Sequence, residues 1–590
     1  MDVSLFLECK RTQSKELSMP YFHNSTFSPS PFVQKRILQD GKITAPDESP
    51  QQMVTRVAGA IYQAELQFNE SSEAEVFADK IGTLMDAGQI VFSTPIMTNA
   101  GRNDFRRPLS ACTAPPVNLN GDWTKIRKLV DTYHQEAMGT GFNFDMVDDP
   151  VEVLLKLNEI AIAGSQSGHE DRPVGNMGIC TIDHPRIASF VVTKSLRRHI
   201  DWKFNISVDT PELFWMAAAS GSQLHLRDGG SISASALLDL IVEAAHHCAD
   251  PGVVFMDRIN RDNPIPGAGR YESVAPCAEV GLVPGETCQF GYINLGTFVS
   301  NGTLQIDELR NTVMLLTQAL DDCLEISLKA YQVEVSREVV ELRRKIGIGV
   351  CGLADMLIKL SIPYDSEAGR SLAKDVVALV NFVSKEASHQ LGKSRGSFRA
   401  MKLLYGCRHT ESPSYISQRY SPHPTKWVSA SDWYDLGEKI RTTQFLRHSS
   451  TIALPPTGRS GLVINASPGV EPLFSLKDPD GKVRNVVREL VKDTPTIEHI
   501  FQNGTLPQNV DPRIKSILVT STDISATNHL EMVASLQTVV DESISKTINL
   551  RAEATVSEVR EIYEKAYLLG LKGMTMYREG SSVLQPVRLK

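Results

Sequence analysis

Ala275-Pro276-Cys277-Ala278-Glu279 is the most informative stretch of this chain, together with Cys288 eleven residues after Cys277 in Glu286-Thr287-Cys288-Gln289-Phe290-Gly291-Tyr292-Ile293-Asn294-Leu295. It sets a thiol and a carboxylate two residues apart, so an extended backbone would point both to the same side. A second thiol follows shortly. One-electron chemistry on a sugar needs such a set: a sulfur that can carry a radical, a base for a hydroxyl proton, and further thiols as reductant. The spacing alone is a weak signal; the flanking residues strengthen it.

Composition narrows the class. The chain has 590 residues, 42% hydrophobic and 22% charged, as in an ordinary globular protein too long for one small core. A net charge of -8 argues against a general nucleic-acid binder. No apolar run approaches the roughly eighteen residues that span a bilayer, and no signal-peptide pattern opens the sequence, so no membrane partner and a cytoplasmic location are expected. The nine cysteines include no Cys-x-x-Cys, which excludes zinc-ribbon and thioredoxin-like spacings. Cys180, Cys248, Cys323, Cys351 and Cys407 read as small core residues, and Cys9 as exposed. His246-His247-Cys248 with Asp250 does not read as a metal site, because adjacent histidines on a helix diverge.

Residues 1–90 read as a polar, Ser- and Pro-rich arm followed by a helical segment. There Met53, Val57, Ile61, Ala74, Val76, Ile81 and Leu84 give the period. From 91 to 580, short apolar runs (187–193, 204–208, 253–256, 346–350, 451–454) alternate with longer amphipathic ones. Strands alternating with helices predict an α/β body with parallel sheets. A helix is expected from Val556 to Leu569, then a strand or loop to Gly580, and a tail over 581–590.

Ten segments in order resemble the ribonucleotide reductase large subunit, particularly its adenosylcobalamin-dependent (class II) branch. Besides the stretch quoted first, they include Phe92-Ser93-Thr94-Pro95, Leu109-Ser110-Ala111-Cys112, Gly139-Thr140-Gly141-Phe142-Asn143, Gly352-Leu353-Ala354-Asp355, Pro456-Thr457-Gly458 and Ser467-Pro468-Gly469-Val470-Glu471-Pro472. The resemblance implies a ten-stranded α/β barrel made of two antiparallel half-barrels. Each half has five parallel strands, and a central finger loop carries the radical cysteine, buried away from water.

Position by position, the resemblance implies that Cys277 is the thiyl radical that takes the sugar 3′-hydrogen and Glu279 the acceptor of the 3′-hydroxyl proton. Cys112 and Cys288 would be the reductant that ends as a disulfide. Ser93, Thr94, Ala111, Thr457, Gly458, Arg459 and Ser460 would bind the substrate, a ribonucleoside di- or triphosphate. Adenosylcobalamin is the implied cofactor. Met574-Thr575-Met576-Tyr577-Arg578-Glu579-Gly580 resembles the class II terminal strand with its single tyrosine, and no glycyl-radical motif stands near the C-terminus. An external dithiol such as thioredoxin or glutaredoxin and a homodimeric assembly are further family expectations.

Four departures stand out. Ala275 replaces the usual asparagine, whose amide bonds around the ribose hydroxyls; losing such a bond costs about 1–3 kcal/mol. Only 145–149 separate Phe144 from Pro150, where a longer Gly/Ser-rich effector loop is usual, and the next effector loop (164–172) is also unusual. Arg459, Ser460 and Gly461 replace the usual phosphate-loop residues, and arginine can grip a phosphate bidentately. The tail carries no dithiol. These departures predict narrowed specificity and reduced effector control. They leave open an enzyme with the same hydrogen abstraction but another product, and a silent nucleotide-binding homologue.

Overall fold

The computed structural model describes residues 23–102, 106–166, 174–403 and 405–581. Cys9, most of the 164–172 loop and the tail from 582 lie outside the described residues.

The helix Pro50–Glu65 begins where local chemistry places it. Pro50 occupies the first helical position, Ser49 Oγ accepts from Gln52 N, and the Gln52 side chain accepts from Ser49 N. Met53, Val57 and Ile61 form its buried stripe, as their spacing predicts. The helix Ser71–Asp86 packs beside it and buries Ala74, Phe77, Ala78 and Ile81. Val76, expected on that stripe, is 55% exposed, because two residues beyond Ala74 a helix has turned to its opposite side.

The body is a closed barrel of two runs of five parallel strands. Ile90–Phe92 (β1) flanks it. The first run is Cys112–Thr113 (β2), Gly139–Asn143 (β3), Asn176–Thr181 (β4), Phe204–Asp209 (β5) and Gly252–Val254 (β6), each parallel to the next. The second run starts with Thr287–Asn294 (β7) beside Ile346–Cys351 (β8). It continues through bridges from Ile348 to Ile452 and from Leu454 to Ile544, and ends with Thr547–Leu550 (β9) beside Gly573–Arg578 (β10). Two antiparallel seams close the circuit: β2 with β7, where Cys112 faces Cys288, and β6 with β10, where Val254 faces Gly573. The α/β barrel of two opposed half-barrels is therefore present.

Every residue of β4, β7 and β8 is buried. Helices cover the outer face of such strands; here the inner face is covered too. Along β7, Gly291 lies against Leu316 of the helix Ile306–Leu328, so that side faces outward. Cys288, Phe290 and Tyr292 take the other side. Cys288 Sγ and the Phe290 ring fill the space a Cβ at Gly347 would need, and Tyr292 does the same at Gly349. Glycines in β8 thus make room for larger β7 side chains inside the barrel.

The 187–193 run, expected as a strand, is helical (Ile187–Val191 and Thr193–Leu196). Ile187, Phe190 and Val191 are its buried apolar residues at i, i+3 and i+4, a helical stripe that so short an apolar run conceals. The C-terminal helix spans Val556–Leu568, and the segment after it is strand β10. Among the described residues no helix is long and apolar enough to cross a membrane.

Candidate active site

The finger is a hairpin in which Ser273–Val274 pairs antiparallel with Gly281–Leu282. It lies inside the barrel. Val274 O would sit 2.1 Å from a Cβ at Gly141 on β3, so no side chain fits there. Val274 and Ala278 pack with Met177 and Ile179 of β4 and Val254 of β6, an apolar cluster separate from the main core. This cluster is why the inner faces of those strands are hydrophobic.

The tip is a turn. Ala278 N donates to Ala275 O at 2.7 Å, Ala275 N donates to Val280 O at 2.9 Å, and Ala278 adopts φ +60°. Pro276 presets the dihedral of the turn's second residue. Two expectations are corrected here. Cys277 and Glu279 do not share the face of an extended strand, because the turn intervenes. Cys277 is not buried: it is exposed, whereas Glu279 is 3% exposed. Pro276 and Ala278 hold the packed sides of the turn, so the residue between them projects off its tip.

The tip nonetheless sits between the two half-barrels. Pro276 Cγ and Cys112 Sγ lie 3.0 and 3.4 Å from the point a Cβ at Gly139 would occupy. Ala278 Cβ lies 3.7 Å from the corresponding point at Gly573 on β10. Cys112 and Cys288 are direct cross-strand partners on β2 and β7. Residues so placed have Cα atoms about 4.5–5.5 Å apart, inside the range a disulfide bridges. Sequence separation of the two thiols is thus cancelled by the seam. Burial pushes the Cys288 thiol well above its ordinary pKa, so it stays protonated; Cys112 is half-buried.

Behind this pair the Tyr331 hydroxyl lies 2.6 Å from Ser110 Oγ and 2.5 Å from Thr287 Oγ1. Gln289 Nε2 donates to Ser110 Oγ at 2.8 Å and to Tyr331 at 3.2 Å. Ser110 precedes β2, while Thr287 and Gln289 flank Cys288, so one buried network ties both sides of the seam.

Glu279 is held through its main chain: its carbonyl accepts from Ser543 N at 2.9 Å. Its Oε2 is buried without a partner among the described residues, and desolvation pushes the carboxyl up to about 7. Ala275, 1% exposed, offers only a methyl group where an amide is usual. A buried carboxyl near neutrality with an open lone pair is suited to accept a proton from a bound hydroxyl.

The candidate substrate segments lie on the β1 side of the barrel. Ser93 N donates to Phe290 O at 2.9 Å, which fixes Ser93 beside the β7 residue two beyond Cys288. Ser93 Oγ is buried without a partner among the described residues, and Thr94 opens the short helix Thr94–Asn99. Ala111 N donates to Cys288 O at 3.1 Å. The helix Gly458–Val463 packs against β1. Thr457 precedes it at φ 46°, and its hydroxyl already accepts from Gly469 N at 2.6 Å, leaving its own O–H to donate. Gly458 and Arg459 are exposed, and Ser460 is buried.

Cys180, Cys323, Cys351 and Cys407 are buried, as expected of core residues. Cys248 is not: at the end of the helix Ala234–Cys248 it is half-buried, and its thiol donates to Ala244 O and Asp250 O. His246 and His247 take separate partners, Ala554 O and Arg198, so their rings diverge.

A family model described as the ribonucleotide reductase barrel domain matches residues 143–577, and one described as the all-alpha domain of ribonucleotide reductase matches 32–104. The chain belongs to the ribonucleotide reductase large-subunit family. It is 30% identical to the vitamin B12-dependent ribonucleoside-diphosphate reductase of Thermoplasma acidophilum, covering 88% of this chain and 67% of that one. The protein of the same name from Mycobacterium tuberculosis is 28% identical over 93% of this chain and 78% of the relative. The vitamin B12-dependent ribonucleotide reductase of Streptomyces clavuligerus is 26% identical over 91% and 63% respectively. Cys112 falls between the two matched stretches and pairs across the seam with Cys288, which lies inside the matched barrel stretch. Tyr331 was not singled out by the sequence, since nothing local distinguishes a tyrosine that closes a seam from one that fills a core.

Proposed function

We propose that the chain is a class II, adenosylcobalamin-dependent ribonucleotide reductase. The reading is carried by one juxtaposition: an in-register thiol pair at the barrel seam, with the Cys277 turn reaching it from inside. Cys277 as a thiyl radical takes the hydrogen atom from C3′ of the ribose. Glu279 accepts the 3′-hydroxyl proton. The 2′-oxygen leaves as water with a proton from the Cys112–Cys288 pair, which also supplies two electrons and closes as a disulfide. The second hydrogen of the pair forms the new C2′–H bond, Glu279 returns its proton to the 3′-oxygen, and Cys277 returns the hydrogen atom to C3′. Ribonucleotide and dithiol thus become deoxyribonucleotide, disulfide and water. Ser93, Thr94, Ala111, Thr457, Gly458, Arg459 and Ser460 hold the di- or triphosphate end, with the Arg459 guanidinium as the cationic group.

Two features of the chain fit the cofactor. Cys277 is exposed between buried neighbours, so a bulky group can approach its sulfur, and the Tyr577 hydroxyl on the adjoining β10 is buried without a partner among the described residues. Residues of β10 would border the group, which when bound would supply the radical chemistry that turns the Cys277 thiol into a thiyl. An external dithiol, thioredoxin or glutaredoxin, then reopens the disulfide through the half-exposed Cys112, and the chain works in the cytoplasm, as a homodimer.

The short 145–149 connection supports reduced effector control. Asp145 Oδ1 accepts from Thr181 N at 2.7 Å, and Arg227 pairs with Asp183 at 2.9 Å beside it, so these polar groups are already engaged. Ala275 favours a second reading in which the same hydrogen abstraction gives another sugar product. Anaerobic incubation with adenosylcobalamin, a dithiol and each ribonucleotide separates them. A 2′-deoxy product that disappears in Cys277→Ser supports the first reading; a different sugar supports the second. A Cys277→Ser variant that still turns over refutes both.

A further inference from the structure

The finger hairpin is gripped at Gly281, two residues beyond Glu279, by a single ion pair. Lys345 Nζ donates to Gly281 O at 2.6 Å, and Gly281 N donates to Glu542 Oε2 at 3.2 Å. Lys345 Nζ and Glu542 Oε1 are themselves 3.2 Å apart. One buried ion pair therefore occupies both backbone hydrogen-bonding groups of one residue. Lys345 is 1% and Glu542 5% exposed. A second carboxylate, Glu286, lies 3.3 Å from Lys345 and accepts from Arg343 at 2.8 Å. Residue 281 is pressed from its remaining side: a Cβ there would meet Tyr271 Cδ2 at 2.8 Å and Ile259 Cγ2 at 2.7 Å.

The clamp is wired to both halves of the site. Ser543, next to Glu542, donates its N–H to the Glu279 carbonyl. Glu286 stands two residues before Cys288 on the same chain segment. Lys345 immediately precedes β8, whose Gly347 lies against Cys288 Sγ. A buried ion pair is weak evidence for stability, since desolvating both charges offsets much of their attraction. This one spends its directional bonds on the backbone of the loop that carries the reacting sulfur.

We infer that Lys345 and Glu542 are positioning residues, which fix the height of the finger so that Cys277 and Glu279 meet the sugar in register with the Cys112–Cys288 pair. The inference rests on the proposed reductase function. Misplacement of a reacting atom by about 1 Å costs roughly a hundredfold in rate, so a slack clamp shows in turnover before it shows in substrate binding.

The test compares Glu542→Ala with Glu542→Gln in the full chain. Glutamine keeps an acceptor for Gly281 N–H; alanine does not. Glu542→Ala is expected to lower kcat by about tenfold or more with KM within about twofold, and Glu542→Gln to recover most of that loss. Iodoacetamide labelling of Cys277, read by peptide mapping without cofactor, is expected to change rate in the alanine variant and return towards wild type in the glutamine one. A folded Glu542→Ala with wild-type kcat and labelling rate overturns the inference, as does a glutamine variant no better than alanine. Where Glu542→Ala does not fold, Lys345→Met with Glu542→Gln removes the carbonyl donor while leaving Glu286 its Arg343 partner. The same kcat loss is expected, and wild-type behaviour overturns the inference. Absence of any product from the wild type counts against the functional reading instead, and the labelling rates still decide the clamp.

Discussion

Replacing Glu279 by glutamine should make the protein more stable and inactive at once. The carboxyl is buried, carries an oxygen with no partner among the described residues, and is moved by desolvation from 4.5 to about 7. Below pH 4.5 it is neutral in both folded and unfolded chains, and its ionisation contributes nothing to their difference. Between 4.5 and about 7 the unfolded chain releases the proton while the folded one keeps it, so stability falls as pH rises. Above about 7 the full cost is in place, roughly 3 kcal/mol for a change of this size. Glutamine has nothing to ionise. Urea unfolding should therefore find Glu279→Gln more stable than wild type by roughly 3 kcal/mol at pH 8, with the gap closing as pH falls towards 4.5. Glutamine also cannot accept the 3′-hydroxyl proton, and loss of a positioned base lowers turnover by about a hundredfold or more. Wild-type turnover should rise with pH through about 7 as the carboxyl ionises, and that limb should be missing from the variant's residual rate. Equal stability of the two proteins at pH 8 would show that the carboxyl is solvated. Substantial activity in the variant would remove Glu279 as the base.

Two further outcomes follow from the site. After one turnover without added reductant, peptide mapping should find a disulfide joining Cys112 to Cys288, and Cys288→Ser should prevent both the disulfide and the 2′-deoxy product; a disulfide elsewhere would refute the seam assignment. Equilibrium dialysis should detect no deoxynucleoside triphosphate binding that alters substrate preference, and a switch in preference would refute the loss of effector control.

How far the sequence reached can be seen residue by residue. The stripe of Met53, Val57 and Ile61 and the final helix from Val556 are local, and local chemistry was enough to place them. The run at 187–193 misled because β-branched residues close together fit either element until their packing partners are known. The thiols of Cys112 and Cys288 were found through family resemblance; no spacing rule joins residues so far apart.

Sequence alone determined the identities that chemistry requires: three thiols, one carboxylate, glycines where chains touch, and alternating apolar runs that commit the body to strands and helices. Tertiary structure decided which of them meet. Closing two half-barrels brings Cys112 opposite Cys288, burial raises the pKa of Glu279 towards neutrality, and a turn rather than a strand turns Cys277 outward from its packed neighbours. Long-range pairing and desolvation depend on the whole fold, and neither is written in the neighbours of a residue along the chain.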